Sequence, residues 1–192
     1  MRFAGSILIV ICLLAGGCER DPEEAKCPAI GEGELIITEI RGPQSPEDQN
    51  GPWIELFNAS GNAIDLEGTK IRFRNKTGST EIPVLVRRSV SVAAGAYVVL
   101  GVFEDIKVLE GTPAFADYGF ADDFRVTWLG AAAVDVESCG VLVDRLIYDA
   151  LPRTGTFSFG PAPDATMNDD LAKWCTDAAS AGTPQAANIT CP

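Results

Sequence analysis

The chain has 192 residues and a formal net charge of −12, with 27 acidic residues, 15 basic residues and no histidine. This length is sufficient for one domain with a sizeable apolar core. The acidic excess argues against nucleic acid as a partner, because that affinity comes mainly from Lys and Arg contacts with phosphates. The lack of histidine excludes Ser-His-Asp and Cys-His nucleophile systems, HExxH metalloprotease sites and the commonest zinc ligand.

Residues 1–17 have the pattern of a signal peptide. A short segment with one positive charge, Arg2, precedes a nearly unbroken apolar run from Ile7 to Leu14. A membrane-spanning helix needs roughly 20 apolar residues, so this run is too short to remain in a bilayer. We therefore predict that residues 1–17 are cleaved from the mature protein.

The end of this segment predicts the compartment. Ala15-Gly16-Gly17-Cys18 resembles a lipobox, the bacterial motif of small residues before a lipidated cysteine, although Ala15 stands where the motif usually has Leu. We predict lipidation at Cys18 and a short acidic tether, so that residues 18–32 connect a membrane to the domain. Glu19 favours the outer membrane of a bacterial cell envelope, by analogy with enteric sorting. An ordinary secretory peptide cut near Ala15, which leaves Cys18 as a thiol, is the alternative.

The remaining cysteines predict two disulfide bonds. Once Cys12 leaves with the signal peptide and Cys18 carries the lipid, an even set is left in an oxidising compartment: Cys27, Cys139, Cys175 and Cys191. Three connectivities are possible. We prefer Cys175 with Cys191, because this bond closes a short loop and is worth roughly 3 kcal/mol by chain entropy. The other bond then joins Cys27 to Cys139. No CxxC pair is present, so we expect no metal and no other cofactor.

From Leu35 onward the chain has the rhythm of an all-β fold, with short runs of Val, Ile, Phe and Tyr broken by Gly, Pro, Asn and Asp. The predicted strands are Leu35 to Ile40, Trp53 to Phe57, Lys70 to Arg74, Val84 to Val86, Tyr97 to Val102, Phe124 to Leu129 and Val141 to Tyr148, with a hairpin at Ala93-Ala94-Gly95. In Lys70 to Arg74, Ile71 and Phe73 alternate with charged residues, which predicts a half-buried strand. About 7–9 strands without a long helix favour antiparallel sheets packed face to face.

Several segments together resemble the lamin tail domain family. They are Leu35-Ile36-Ile37-Thr38-Glu39-Ile40, Trp53-Ile54-Glu55-Leu56-Phe57-Asn58, Ile64-Asp65-Leu66-Glu67-Gly68, Ala93 to Leu100, Val143-Asp144-Arg145-Leu146-Ile147-Tyr148, and Trp174 followed by Gly182-Thr183-Pro184-Gln185-Ala186-Ala187-Asn188. Gln185 occupies the place of the family's usual Gly, so we expect the last turn to differ. The resemblance implies that residues 33–192 form an immunoglobulin-like antiparallel β-sandwich. It does not name a ligand, because animal members contact proteins and chromatin while bacterial members occur on exported proteins.

Carboxylates are the remaining candidates for chemistry. Glu39 and Glu55 are expected on neighbouring strands, either as a catalytic acid/base pair or, as we prefer, as acceptors of hydrogen bonds from the backbone or Arg near a sheet edge. Calcium is a further possibility, because three loops are acidic: Glu47, Asp48 and Asn50; Asp117, Asp122 and Asp123; and Asn168, Asp169 and Asp170. None of these loops has the spacing of an EF-hand.

Lys70, Arg72 and Arg74 form an outward basic stripe that Lys76, Arg87 and Arg88 could extend. This stripe is a possible binding surface for anionic headgroups or polysaccharide, and the alternative is a solvated face that discourages edge pairing. We predict a lipid-anchored, non-catalytic binding or structural module, with an unknown envelope protein or polysaccharide as its partner. A calcium-dependent adhesive module and a carboxylate-based hydrolase are the alternatives.

Overall fold

The computed structural model describes residues 26–44, 48, 50–124, 128–179 and 181–192. The predicted signal peptide, the predicted lipidation site Cys18 and Glu47 lie outside the described residues. Within the described part of the chain, no helix has the length and apolar character needed to span a membrane.

The described residues form twelve β-strands and one short α-helix. The strands are β1 (Leu35–Arg41), β2 (Trp53–Asn58), β3 (Ile64–Asp65), β4 (Lys70–Arg74), β5 (Glu81–Leu85), β6 (Ser91–Val92), β7 (Tyr97–Gly101), β8 (Tyr118–Gly119), β9 (Ala132–Ser138), β10 (Val141–Tyr148), β11 (Thr156–Phe159) and β12 (Trp174–Asp177). The helix α1 (Asp105–Leu109) lies between β7 and β8, and a 3₁₀ turn (Leu171–Lys173) precedes β12.

The strands form a six-stranded sheet in the order β12-β11-β1-β2-β7-β8, a four-stranded sheet in the order β10-β9-β4-β5, and a small sheet of β3 and β6. All neighbouring strands are antiparallel except β7 and β8. The predicted all-β sandwich of antiparallel sheets is therefore confirmed. The count differs, because twelve strands lie in the described residues where we predicted about 7–9.

Alternation of apolar and polar residues explains how the two larger sheets share one core. In β4, Ile71 and Phe73 are buried, whereas Lys70 is exposed and the two arginines are half-buried. Phe73 contacts the ring of Trp128, with ring centroids 4.9 Å apart, and Trp128 is itself buried. Across β1, β2 and β7, Ile40 faces Ile54, which faces Leu100, and all three are fully buried.

The additional strands lie where the sequence signal is weak. β9 contains two alanines, Asp135 and Ser138, and these residues have little β propensity of their own. Pairing with β4 and β10 on both sides compensates for this in the fold. The strands β11 and β12 have only four residues each, and β3, β6 and β8 have two residues each.

Three details of the predicted strands are wrong. Phe124, Trp128 and Leu129, the described residues of one predicted strand, lie in no strand. Phe124 and Trp128 pack on Phe73 instead, with ring centroids 5.2 and 4.9 Å from it, and this packing accounts for an apolar pattern without a strand. The strand predicted at Val84 begins earlier, at Glu81. The turn at Ala93 exists, but it joins β6 and β7, which belong to different sheets, so it is no hairpin.

Two disulfide bonds cross-link the sandwich, in the pairing that we preferred from the sequence. Cys27 bonds to Cys139 across 112 residues, and Cys175 bonds to Cys191 across 16 residues. The first bond ties the start of the domain to the turn between β9 and β10. The second ties the end of the chain to β12, at the edge of the six-stranded sheet.

Candidate functional site

Glu39 and Glu55 lie directly opposite each other on β1 and β2, the two central strands of the six-stranded sheet. Both side chains are fully buried. The prediction that they occupy neighbouring strands is confirmed, but their predicted place near a sheet edge is wrong. Because β1 and β2 are central, neighbouring strands cover the two side chains laterally. The cover over the face of the sheet must come from another part of the chain.

That cover is the segment 182–188, which we call the C-terminal strap. The Thr183 hydroxyl donates to Glu39 Oε2 over 3.2 Å, and the Thr183 amide donates to the same oxygen over 3.3 Å. The Gln185 amide donates to Glu55 Oε2 over 2.7 Å. The two carboxyl groups thus accept hydrogen bonds from the backbone of the strap, as the structural interpretation of the pair predicted.

Hydroxyl groups from the sheet itself complete the shell around the pair. Ser158 Oγ donates to Glu39 Oε1 over 2.7 Å, and Thr156 Oγ1 donates to the same oxygen. Thr38 Oγ1 donates to Glu55 Oε1 over 2.9 Å. Two buried carboxyl groups are therefore satisfied by neutral donors, which is the condition under which burial of such groups is tolerated.

The strap has a backbone shaped for this contact. Gly182 has φ +70°, and a Cβ atom built there would lie 2.7 Å from Glu39 Oε1, so only glycine fits. Gln185 has φ 63°, in the left-handed region that favours glycine. Gln185 therefore adopts a left-handed turn conformation although it is not glycine. The Gln185 side chain also donates to Asp117 Oδ1 over 3.0 Å, which gives this position a contact that glycine lacks.

Burial sets the protonation of the pair. Desolvation raises the pKa of Glu55 from its ordinary value of 4.5 to about 9, and the nearby charges of Glu39 and Asp117 add to this rise. Desolvation also raises the pKa of Glu39, against the lowering effect of its hydrogen bonds to Thr156, Ser158 and Thr183. Glu55 therefore keeps its proton at neutral pH. While the strap is in place, the pair is enclosed by protein donors and does not face a substrate.

Asp144 is another buried carboxylate, which the sequence analysis missed as a site. It lies on β10 and accepts hydrogen bonds from the Ile37 amide over 2.7 Å and from Asn168 Nδ2 over 2.8 Å. Desolvation raises the pKa of Asp144 to about 7. The available signal was an acidic residue that directly follows the apolar run Val141-Leu142-Val143. Asn168, predicted as part of an acidic calcium loop, is buried and used in this network instead.

The predicted basic stripe is part of a mixed-charge ladder on the outer face of the four-stranded sheet. Arg72 donates to both carboxylate oxygens of Glu81, over 2.9 and 2.5 Å, and to Glu137 over 2.5 Å. Arg74 Nε donates to Asp135 over 2.9 Å, and Asp135 also accepts from Arg145 over 2.6 Å. We call these six residues the charge ladder. Its acidic members come from β5 and β9, so the cations of β4 are neutralised by their neighbours.

The predicted extensions of the stripe are paired in the same way. Arg87 lies 2.5 Å from Asp123, Arg88 lies 2.7 Å from Asp105, and Lys76 pairs with Asp149. A continuous cationic stripe is therefore not what the fold presents. Lys70 differs from the two arginines of its strand, because it is exposed at the end of β4 and lines a cleft.

The described acidic loops use their carboxylates for protein contacts. Asp48 binds the buried Arg41 with both oxygens, over 2.5 and 2.7 Å. Asp117 accepts from the Val99 amide over 2.8 Å, and Asp123 accepts from the Leu85 amide over 3.0 Å. In the part of the chain that the structure describes, no group of three acidic or cysteine side chains is arranged to hold a metal ion.

A cleft of about 720 Å³ lies where the chain enters the domain. Its lining combines charged residues, two apolar residues and the first disulfide: Lys26, Cys27, Glu67, Gly68, Lys70, Leu85, Val86, Arg87, Glu137, Cys139 and Gly140. These residues come from segments far apart in the sequence, and this is why spacing alone could not reveal the cleft.

Comparison of the chain with known protein families, with curated proteins and with solved structures finds no match. The resemblance to the lamin tail domain therefore rests on the quoted motifs.

Proposed function

We propose that this chain is a bacterial envelope lipoprotein that presents a non-catalytic, lamin-tail-like binding or structural module. The observation that carries this proposal is the combination of a signal-peptide pattern ending at Cys18 with a domain closed by two disulfides. Disulfides of this kind persist in oxidising compartments outside the cytoplasm. The domain begins within the predicted tether of residues 18–32, since Cys27 is bonded to the sandwich and Ile30 is buried in its core.

The geometry of the carboxylates supports a role without catalysis. A hydrolase of the kind considered from the sequence needs two carboxyl groups that flank a bound substrate. Glu39 and Glu55 are instead fully buried and bonded to Thr183 and Gln185 of the strap. Their positions are explained by closure of the fold.

The lamin-tail resemblance gains support from the contacts among its motif residues. Glu39, from the first motif, accepts from Thr183 of the closing motif, and Glu55, from the second motif, accepts from Gln185 of the same closing motif. Asn188 Nδ2 from that closing motif donates to Thr38 O over 2.6 Å. Residues that are dispersed in the sequence thus serve one structural purpose.

Intact-mass analysis of protein extracted from membranes tests the anchor. We expect a mature chain that begins at an acylated Cys18. Cys18→Ser should move the domain to a soluble fraction, whereas Cys12→Ser, a matched change inside the predicted signal peptide, should leave it with the membranes. A single acyl chain binds only marginally and two hold stably, so full acylation predicts no exchange from the membrane. A mature N-terminus near Ala15 without acylation would overturn the proposal.

Crosslinking and pulldown from the native envelope tests the binding role. The variant Lys70→Ser is more informative than a triple change with Arg72 and Arg74, because loss of either arginine leaves the acidic members of the charge ladder unpaired. We expect a partner to be retained in the presence of a chelator. Partner loss with the chelator alone would favour the calcium-dependent module. Hydrolysis of envelope material that Glu55→Gln abolishes without unfolding would contradict the non-catalytic role.

A further inference from the structure

The end of the domain that receives the tether is rigidly defined. The disulfide between Cys27 and Cys139 ties the incoming chain to the turn between β9 and β10. This turn has two residues, Cys139 with φ 51° and Gly140 with φ 79°, and Ser138 pairs with Val141 across it. Two-residue turns with positive φ at both positions match the twist of paired strands and form tight hairpins. The point of entry therefore has a fixed place on the sandwich.

Apolar and basic side chains are exposed at this end. Val141 and Leu142 follow the turn and are 44% and 39% exposed. Leu142 pairs with Glu137 on β9, and Glu137 pairs with Lys70 on β4, so the three side chains lie in one row on the outer face. Glu137 also lies 2.5 Å from Arg72, which offsets its charge.

Two more cations border the same end. Lys26 and Arg87 line the cleft together with Lys70, and their side chains are 61% and 57% exposed. Each of the two also contacts a carboxylate, Glu67 for Lys26 and Asp123 for Arg87. Cations that are partly offset by acids thus line the cleft. Val141 and Leu142, which we call the apolar tip, are exposed at the same end of the domain. This is the combination that favours a membrane interface.

The tether restricts how the domain can be oriented. From Cys18 to Lys26 there are eight peptide steps (26 − 18 = 8), and eight residues extend at most about 29 Å. If Cys18 carries the lipid, the entry end cannot move farther than this from the bilayer. The net charge of −12 repels an anionic surface at long range. At a separation below the Debye length, about 8 Å, local side chains decide the sign of the interaction instead.

We propose that this end of the domain makes a second contact with the anionic phospholipid bilayer that holds the anchor. Val141 and Leu142 enter the headgroup region, while Lys26, Lys70 and Arg87 lie at the level of the lipid phosphates. The inference rests on the proposed lipidation of Cys18. It goes beyond anchoring, because it fixes which end of the sandwich is turned to the membrane.

Lysine labelling of the acylated protein tests this contact. The protein is reconstituted in phosphatidylglycerol-containing vesicles, in phosphatidylcholine vesicles and in detergent micelles, and an amine-reactive reagent that does not cross bilayers is added. We expect labelling of Lys70 to fall severalfold in phosphatidylglycerol vesicles relative to micelles, and less in phosphatidylcholine vesicles. Lys76, two residues beyond the far end of β4, serves as the internal control and should label equally in all three.

A matched pair of variants separates the apolar tip from general changes in the sheet. Val141→Ser with Leu142→Ser should restore labelling of Lys70 in vesicles. Ile147→Ser should not, although Ile147 is 46% exposed and lies on the same strand, about 17 Å farther along it at the usual rise of a strand.

The outcomes distinguish this inference from the proposed function. If mass analysis confirms acylation and Lys70 still labels as fast in vesicles as in micelles, the second contact does not exist and the anchor stands. Equal restoration by Ile147→Ser would also overturn the assigned surface. If the reconstituted protein carries no acyl group at Cys18, the anchor proposal fails, and this inference fails with it.

Discussion

Acidic residues on the outer faces of the two large sheets lie in different environments. On the four-stranded sheet, the charge ladder pairs Glu81, Glu137 and Asp135 with arginines, and these arginines remain partly exposed to solvent. On the six-stranded sheet, Glu39 and Glu55 are fully buried beneath the strap and bind hydroxyl and amide donors.

This difference shows what each arrangement contributes. Exposed ion pairs contribute little to stability, because solvent already stabilises the separate charges. Buried carboxyl groups contribute by satisfying donors that would otherwise be orphaned in the interior, and each orphaned donor costs about 1–3 kcal/mol. The six-stranded face should therefore be sensitive to substitution and to pH, whereas the partly exposed pairs of Arg72 with Glu81 and Glu137 should tolerate change.

The largest effect should come from Glu39→Leu. This change removes the acceptor of Thr156, Ser158 and Thr183 without opening the strap to water. We expect the free energy of unfolding to fall by about 3–4 kcal/mol, since more than one buried donor loses its partner. Glu39→Gln keeps an acceptor oxygen for Thr156 and Ser158 but turns an NH₂ group, which cannot accept, toward Thr183, so its cost should lie below that of Glu39→Leu. Urea denaturation followed by tryptophan fluorescence measures both. Equal losses for Leu and Gln would contradict the account.

The second effect concerns the disulfide bond that holds the chain just after the strap. Replacing Cys175 and Cys191 together by Ser removes the bond that closes the loop of 16 residues. A loop of this size predicts a loss of about 3 kcal/mol in the free energy of unfolding. Amide hydrogen exchange should also rise at Thr183 and Gln185, while the β4 amides exchange as before. Unchanged protection of the strap would show that the carboxyl groups hold it without the disulfide.

A smaller effect is expected on the charge ladder. Arg72→Met removes contacts to Glu81 and Glu137 on a face that remains partly exposed. The free energy of unfolding should change by no more than about 1 kcal/mol, and the change should shrink in high salt. Denaturation in low and high salt provides the comparison. A loss as large as that of Glu39→Leu would mean that exposed and buried carboxylates do not differ as described.

The smallest effect concerns the backbone of the strap. At Gln185, with φ 63°, the Gly variant should be more stable than the Ala variant by about 1 kcal/mol, because Ala keeps the strained left-handed conformation, whereas both variants lack the side-chain bond to Asp117. Gly relieves the strain while it loses that same bond, so it should lie close to the wild-type protein. Thermal unfolding of the three proteins gives the order. Ala at or above the stability of Gly would contradict the left-handed turn.

Local patterns predicted much of the fold. The alternation in Lys70 to Arg74 predicted the bounds of β4 correctly, because one face of this strand is buried and the other is at least partly exposed to solvent. The pairing of Cys175 with Cys191 followed from loop length. By contrast, Ala132 to Ser138 carried no strong signal, since its pairing is dictated by β4 and β10 on either side.

The site was less predictable, for a physical reason. Sequence placed Glu39 and Glu55 on adjacent strands, but their burial depends on Thr183, 144 residues from Glu39, and on Gln185, 130 residues from Glu55. The stripe of Lys70, Arg72 and Arg74 was visible in the sequence, whereas the acids that neutralise it lie on other strands. Contacts between distant segments decide both cases, and spacing in a single strand does not encode them.

The most direct test of the account is the pH dependence of unfolding, measured for the wild-type protein and for Glu55→Gln. In the folded protein Glu55 has a pKa of about 9, against an ordinary value of 4.5 in the unfolded chain. Between these values the folded state binds more protons than the unfolded state, so the free energy of unfolding falls as the pH rises. Glu39 and Asp144, whose pKa values are also raised, act in the same direction.

We predict that the wild-type protein is most stable near pH 5 and loses stability up to pH 9. Glu55→Gln should show a clearly shallower decline, because it removes the largest of these linkages. If both proteins have the same slope, or if the wild-type protein is more stable at pH 9 than at pH 5, Glu55 is not held protonated beneath the strap, and the structural role of the pair is contradicted.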